Sequence, residues 1–244
     1  MAEHANPSEQ TSLSALLLLA DGRFPAGGHA HSGGLEAAVA LEGLGDVSGL
    51  EKFLRGRAAT GGAIAAAFGA AACAALTEAG SVHDDSTGAA VLSRLDRELD
   101  ARLPSPALRS VSRRLGRQLL RAGRVVWPSS ALDELAEAMP GGPHQPVVLG
   151  AVAASAGLGT MAVAMAAVHE SVAGPATAAV RLLGLDPFAV HAALARMGPQ
   201  LDAIAAKGAA CAHLPPAELP ACSAPLLDVL AERHSTWEVR LFAS

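Results

Sequence analysis

The sequence contains no tyrosine and few other aromatic residues: Phe, Trp and Tyr make up 3% of its 244 residues. Strands favour aromatic and β-branched side chains, so this scarcity argues against a sheet-rich fold. Ala and Leu dominate the 51% hydrophobic content, and both are strong helix formers. The composition therefore predicts an all-α protein.

Basic residues are also scarce, with 18 Lys and Arg against 23 Asp and Glu and a formal net charge of −5. Nucleic-acid binders usually carry a basic face, so no nucleic acid is expected as a partner. The two lysines, Lys52 and Lys207, do not follow glycines. A phosphate-binding loop needs Lys and then Ser or Thr after its last glycine, which excludes that class of nucleoside triphosphatase.

Cysteine is rare, and the three cysteines Cys73, Cys211 and Cys222 have no regular spacing. An odd count of this kind argues against a disulfide framework and is typical of a reducing cytoplasm. Cys211 and His213, with Cys222 nearby, are a candidate metal site, and an ordinary loop is the alternative. Residues 1–10 lack the basic start and apolar centre of a signal peptide, and we predict a disordered lead-in.

Charge is absent from residues 58–77 and, apart from His144, from residues 138–168. Both stretches are long enough to span a bilayer. The first is built mainly of Ala, Gly and Thr, however, and the second is interrupted by Pro140, Pro143 and Pro146. Both are therefore predicted to be buried core helices, with no membrane as a partner.

Helix start and stop signals recur along the chain, as in Ser105-Pro106 and Asp186-Pro187. They predict about ten helices in one bundle-like domain over residues 11–236, followed by an extended C-terminal tail over residues 237–244. A long helix is expected from Asp46 to about Leu76, with a bend near Gly61-Gly62. Pro175 and Pro199 are expected to interrupt helices, and residues 79–88 to form a loop.

The segment from Phe24 to Glu36 is the most informative part of the chain, because it combines four glycines with His29, His31 and Ser32. Ala30 to Gly34 resembles the elbow of a serine hydrolase, which requires a preceding strand. The preferred interpretation is a helix cap at Ser32, with Glu36 in the first turn. The two histidines would face the same way only in extended backbone, which predicts at most a weak metal site.

One amphipathic helix after Pro106 carries a face rich in arginine, which indicates either a solvated surface or a docking surface for an acidic protein. The arginines on that face are Arg109, Arg113, Arg114, Arg117, Arg121 and Arg124.

Several stretches, in order along the chain, resemble the urease accessory protein UreF family. The N-terminal ones, which are the most specific, are residues 16–21 (LLLLAD), 24–28 (FPAGG) and 31–36 (HSGGLE). Weaker similarities follow at residues 116–120, 144, 146–150, 178–182, 232–234 and 240–244. The chain departs from the family pattern at His29, which is usually aromatic, and over residues 184–191, which replace a Gly-Gln-x-x-Gly-Gln stretch.

The resemblance implies an all-helical, dimeric and non-catalytic protein of the cytoplasm. It implies binding to UreD (also called UreH), recruitment and control of the GTPase UreG, and help in inserting nickel into apo-urease. No tightly bound cofactor is expected, and nickel passes transiently at most, through His29 and His31. The residues expected to bind partners are Phe24, Pro25, His29, His31, Ser32, Glu36, Trp237, Arg240 and Phe242.

Two alternatives remain at this stage. One is a small-molecule hydrolase that uses Ser32 as its nucleophile. The other is a stand-alone nickel carrier that uses His29 and His31, or Cys211, His213 and Cys222.

Overall fold

Helices begin at most of the capping residues that the sequence indicates. The computed structural model describes residues 7–28, 31–77 and 88–242. The helices are α1 (Pro7–Ala20), α2 (Leu35–Glu42), α3 (Val47–Arg57), α4 (Ala63–Thr77), α5 (Gly88–Ala101), α6 (Pro106–Val126), α7 (Ser130–Ala138), α8 (Gln145–Ser155), α9 (Thr160–Leu183), α10 (Pro187–Ala210) and α11 (Pro225–Ser235). A 3₁₀ turn, Pro216–Glu218, precedes α11. These ranges contain no β-strand, and the all-α prediction is confirmed.

The long helix predicted after Asp46 is present and has a π-helical turn at its middle. Asp46 Oδ1 accepts a hydrogen bond from the Gly49 amide at 2.7 Å and so caps α3. The π turn, Ala58–Gly62, connects α3 to α4 without a break. Counting that continuous helix once, the described ranges hold ten helices, as expected.

The alanine-rich α4 lies at the centre of the fold and contacts α5, α8, α9 and α10. Small residues allow its neighbours to approach closely: a Cβ added at Gly150 of α8 would overlap the Gly69 carbonyl oxygen and the Ala72 Cβ. The helix over Val47–Thr77 is apolar and long enough to cross a membrane, but 61% of its most apolar window is buried inside the protein. This burial is typical of the core helix of a soluble protein.

The prediction that Pro175 separates two helices is wrong, because α9 continues through it. Proline has no N–H, so the carbonyl four residues earlier loses its helical hydrogen bond. That carbonyl belongs to Ser171, and it accepts a hydrogen bond from Arg57 Nε at 2.9 Å. A side chain from α3 thus satisfies the acceptor that the proline leaves open. Pro199 also lies inside a continuous helix, α10.

Helix α5 was not predicted from the sequence. It buries Leu92, Leu95 and Leu99, which follow the spacing of three and four residues expected for one helix face. Of the predicted loop, residues 79–87 lie outside the described ranges, and residue 88 already begins the helix. The acidic residues of α5, Asp96 and Asp100, were therefore missed as well.

Candidate functional site

The segment after α1 folds against the body of the protein. Phe24 is buried and stacks on Trp127, with ring centroids 5.7 Å apart and an angle of 24° between the rings. Gly33 has a φ of +60°, and a Cβ there would lie 2.9 Å from both Arg57 Cζ and Pro175 Cγ. Glycine is therefore required at this position, both for its backbone conformation and for space. The glycines bring the loop close to α3 and α9.

A cavity of about 470 Å³ lies beneath this glycine loop (residues 24–34). Its apolar wall includes Leu108, Val111 and Leu115 of α6. The polar wall contains a hydrogen bond of 2.7 Å from Gln145 Nε2 to Glu170 Oε2. The cavity lining therefore combines apolar and polar side chains.

Two charged groups on the cavity wall have shifted pKa values. Water reaches the Glu170 side chain through the cavity, but protein atoms surround it, and this desolvation raises the pKa of its carboxyl group. Desolvation also lowers the pKa of the Arg57 guanidinium, although the charge of Glu170 opposes that shift. Each charge is thus less stable here than in water, and each partly compensates the other.

Ser32 serves the backbone and not a substrate. Its side chain is fully buried, and its Oγ accepts a hydrogen bond from the Glu36 amide at 3.3 Å. Helix α2 begins at Leu35, so Gly34 occupies the cap position and Ser32 supplies the capping oxygen from two residues further upstream. A buried serine whose oxygen already accepts a backbone N–H cannot act as an exposed nucleophile, and the hydrolase alternative is wrong.

The C-terminal tail (residues 237–242 as described) meets the start of α2 at the buried Glu36. The Leu241 amide donates to Glu36 Oε1 at 2.8 Å, and the Phe242 amide donates to Oε2 at 3.0 Å. His234 Nε2 lies 3.0 Å from Oε2, and it is the donor if the carboxyl group is ionised, because a carboxylate only accepts. Two parts of the sequence that resemble UreF are therefore in direct contact.

The residues proposed to bind partners fall into two groups by exposure. Phe24, Ser32, Glu36 and Phe242 are buried within the chain, and the Phe242 ring lines the cavity. Pro25 and Arg240 are exposed, whereas His31 and Trp237 are half-buried. Trp237 packs on His234 with ring centroids 4.6 Å apart. His29 lies outside the described residues. Partner contact by any of these residues stays a prediction.

The metal hypotheses receive no further support. Within the described ranges, no three His, Cys, Asp or Glu side chains gather as they would around a metal ion. Cys211 Sγ donates to the Lys207 carbonyl at 3.2 Å, and Cys222 is exposed. A nickel site shared by His29 and His31 stays a prediction.

A partly buried ion cluster connects α5, α6 and the start of α8, and the sequence analysis missed its acidic members. The His144 backbone amide donates to Asp96 Oδ1 at 2.6 Å, and Nε2 of the His144 ring lies 3.0 Å from Asp100 Oδ1. Arg113 donates to Asp96 at 3.0 Å and to Asp100 at 2.6 Å. The available signal was the leucine spacing of α5, which places both aspartates one turn apart.

The arginine face of α6 is largely committed within the chain. Arg113 belongs to the ion cluster, and Arg117 donates to the Gly141 carbonyl at 2.7 Å. Arg124 pairs with Asp133 at 2.7 Å, and Arg109 donates to the Leu103 and Pro104 carbonyls. Most of these arginines therefore anchor neighbouring segments, which weakens the case for a dedicated acidic-partner surface.

The burial of His144 predicts a measurable dependence of stability on pH. Desolvation lowers the pKa of His144, although hydrogen bonding to Asp100 and the charge of Asp96 oppose the shift. Near pH 6.5, His144 therefore binds a proton in the unfolded chain but not in the folded chain. The stability that this group contributes is present above pH 6.5 and is lost as the pH falls towards the lowered pKa.

We therefore expect the free energy of unfolding to fall more steeply below pH 6.5 in the wild type than in His144→Gln, which cannot titrate. The largest possible difference in slope is about 1.4 kcal/mol per pH unit. Urea denaturation at pH values between 7.5 and 5.5 measures this difference in slope. The contribution of His169 cancels, because both the wild type and the variant contain it. Equal slopes would show that His144 does not titrate differently on folding.

Ser32 is buried, and the histidine and aspartates of the ion cluster join helices, so these polar residues serve the fold. The described residues define an all-α protein that packs as a single body.

Comparison with known proteins identifies the family. The family model UreF matches residues 44–198. Urease accessory protein UreF of Mycobacterium sp. (strain JLS) is 44% identical, that of Mycolicibacterium vanbaalenii 41%, and that of Mycobacterium tuberculosis (strain H37Rv) 40%. Each alignment covers 96% of this chain and 100% of the relative. The chain belongs to the UreF family of non-catalytic urease accessory proteins, which take part in urease maturation.

Proposed function

We propose that the chain is the scaffold of a cytoplasmic urease-maturation complex. It binds UreD (UreH), recruits the GTPase UreG and regulates GTP hydrolysis while nickel is inserted into apo-urease. It acts as a homodimer within that complex and holds no cofactor tightly. The observation that carries the proposal is the C-terminal tail, which is fixed at its end but presents its middle to solvent.

The tail has the properties of a docking segment. Val239 and Leu241 are 85% and 74% exposed, and Arg240 between them is exposed as well. Arginine is enriched among the residues that dominate binding energy, and neighbouring contacts such as those of Val239 and Leu241 serve to exclude water around it. Because Phe242 and Trp237 hold both ends of the tail against the protein, less conformational entropy is lost when a partner binds. We assign this surface to UreD.

A second surface suits the GTPase. Asp186 caps α10 through the Phe188 and Ala189 amides, at 3.1 and 3.3 Å. Phe188 itself is 85% exposed, and His191 Nδ1 lies 2.8 Å from the Pro187 carbonyl, to which it donates. This is the segment that replaces the glutamine-containing stretch of the family. The exposed Phe188 side chain offers an apolar contact on this segment, in which His191 takes the place of the second glutamine.

Co-purification tests the proposal. The full-length chain, co-expressed with UreD and UreG in the presence of GTP and nickel, should elute with both in size-exclusion chromatography. A chain that lacks residues 237–244 should lose UreD. Arg240→Ala should weaken UreD binding about tenfold, the effect of a modest hot spot, whereas the exposed Arg121→Ala serves as a matched control and should not. Absence of any complex with the full-length chain would disprove the scaffold role.

Equilibrium dialysis separates this role from that of a nickel carrier. The isolated chain should bind nickel weakly or not at all, and His31→Ala should change little. Tight binding that His31→Ala abolishes would favour the carrier.

A further inference from the structure

Glu36 has an unusual set of hydrogen-bond donors for a buried carboxylate. Only 11% of its side chain is exposed, yet no lysine or arginine pairs with it among the described residues. Instead, two backbone amides and one imidazole converge on its two oxygens. Buried carboxylates are costly unless they are well hydrogen-bonded, so this arrangement indicates that the position requires an acceptor.

The tail depends on that acceptor. Residues 237–242 belong to no helix or strand, and the Trp237 amide at the start of the tail donates to the His234 carbonyl at 3.2 Å. In the described part of the chain, Glu36 is the acceptor for both the Leu241 and the Phe242 amide. With the two amides held, the Phe242 ring is 9% exposed and packs into the main core. The side chains of Glu238 to Leu241 meanwhile stay exposed.

Glu36 is also hydrogen-bonded to the glycine loop through its backbone. Its amide donates to Ser32 Oγ at 3.3 Å, and it follows Gly33 and Gly34, both of which have positive φ angles. The main chain of Glu36 thus holds the end of the loop, while its side chain holds the tail. One residue connects the two segments.

We propose that Glu36 is a positioning residue whose carboxylate fixes the C-terminal tail to the end of the glycine loop, so that the exposed side chains from Val239 to Leu241 form one preformed docking surface. The identity of the partner, UreD, rests on the proposed function. The fixation of the tail does not, because it concerns the isolated chain.

Glu36→Gln is the decisive substitution. Glutamine has nearly the same shape, but it offers one acceptor oxygen and one NH₂ donor where the carboxylate offers two acceptor oxygens. Its NH₂ group must face at least one of the donors that now bind Glu36. Glu42→Gln is the matched control, because Glu42 is exposed at the other end of α2 and lies outside the tail.

Hydrogen exchange on the isolated full-length chains provides the first readout. Protection of the Leu241 and Phe242 amides should fall at least tenfold in Glu36→Gln and stay unchanged in Glu42→Gln, with the exchange of α4 unaffected in both. UreD affinity should fall at least tenfold in Glu36→Gln alone. Unchanged protection of the two amides, or unchanged UreD affinity despite their release, would overturn the inference.

A second variant covers the case in which Glu36→Gln does not fold. A chain that ends at Arg240 keeps Glu36, Val239 and Arg240 but lacks both donor amides, and no helix is shortened. It should bind UreD as weakly as the chain without residues 237–244. Full-strength binding by this variant would show that fixation of the tail is unnecessary. Failure of the wild type to bind UreD would instead disprove the proposed function, and the exchange result would still stand.

Discussion

Gly116→Ala should lower the free energy of unfolding by about 3 kcal/mol. Gly116 is buried in α6, and a Cβ there would overlap the Pro143 carbonyl oxygen and lie 3.1 Å from the Gln145 amide nitrogen. Both atoms are backbone, and the Gln145 amide is itself bonded to Ser112 Oγ at 3.2 Å. Overpacking against a backbone that cannot move away usually costs 1–3 kcal/mol, about 3 in a severe case.

Thermal denaturation provides the measurement. Alanine gains up to about 1 kcal/mol over glycine in helix propensity, so the cost of the overlap exceeds the net loss that is observed. For a chain of this size, the melting temperature should fall by roughly 6–12 °C.

The same substitution at Gly198 is the control, because no atom lies within 4 Å of a Cβ added there in α10. Gly198→Ala should be neutral or stabilise by up to about 1 kcal/mol. Equal melting temperatures for the two variants would mean that α6 does not pack on residues 143–145 as described.

Asp96→Ala should cost a similar amount, about 3 kcal/mol, for a different reason. The Asp96 side chain is 6% exposed and accepts from the His144 amide and from Arg113. Its removal leaves a buried N–H without an acceptor and takes one of two carboxylates from the arginine. An unsatisfied buried donor costs about 1–3 kcal/mol, and breaking a buried ion pair costs about 3–5 kcal/mol. Because Arg113 still pairs with Asp100, most of the ion-pair cost does not apply, and a total loss of about 3 kcal/mol is expected.

Asp133→Ala is the matched control for that variant. Asp133 also pairs with an arginine, Arg124, at 2.7 Å, but its side chain is 56% exposed. Exposed pairs contribute up to about 1 kcal/mol, so a change within about 0.5 kcal/mol is expected in urea denaturation. A loss at Asp133 as large as that at Asp96 would contradict the assignment of the energy to burial.

Local signals predicted the helices well because caps act within a few residues. Asp46 and Ser105 each begin a helix where the sequence indicated, and both side chains accept from the amide three residues ahead. Pro175 was misread because its acceptor is satisfied by Arg57, which lies more than a hundred residues away in sequence. Local rules describe what the proline costs the helix, but the hydrogen bond that compensates for it comes from a residue that only the tertiary structure brings close.

The candidate site was predicted as a segment but not as an arrangement. The sequence marked both the glycine loop and the tail as informative, and indicated that Ser32 supports a helix start. That Glu36 faces inwards to bind the tail amides follows from the packing of two segments about two hundred residues apart. Only the folded chain shows which proposed contact residues, such as Arg240, still face the solvent.

The π turn at Ala58–Gly62 sets the rotational phase of the central helix. A π turn accommodates an extra residue without ending the helix, so every side chain after it is rotated relative to a regular α-helix that continued from α3. Removing one residue there would turn α4 by about 100° about its axis. Gly69 would then leave the position where the backbone of α4 meets Gly150. The five residues of the π turn thus allow both contacts at once. Arg57, before the turn, reaches Ser171, and Gly69, after the turn, meets Gly150 of α8.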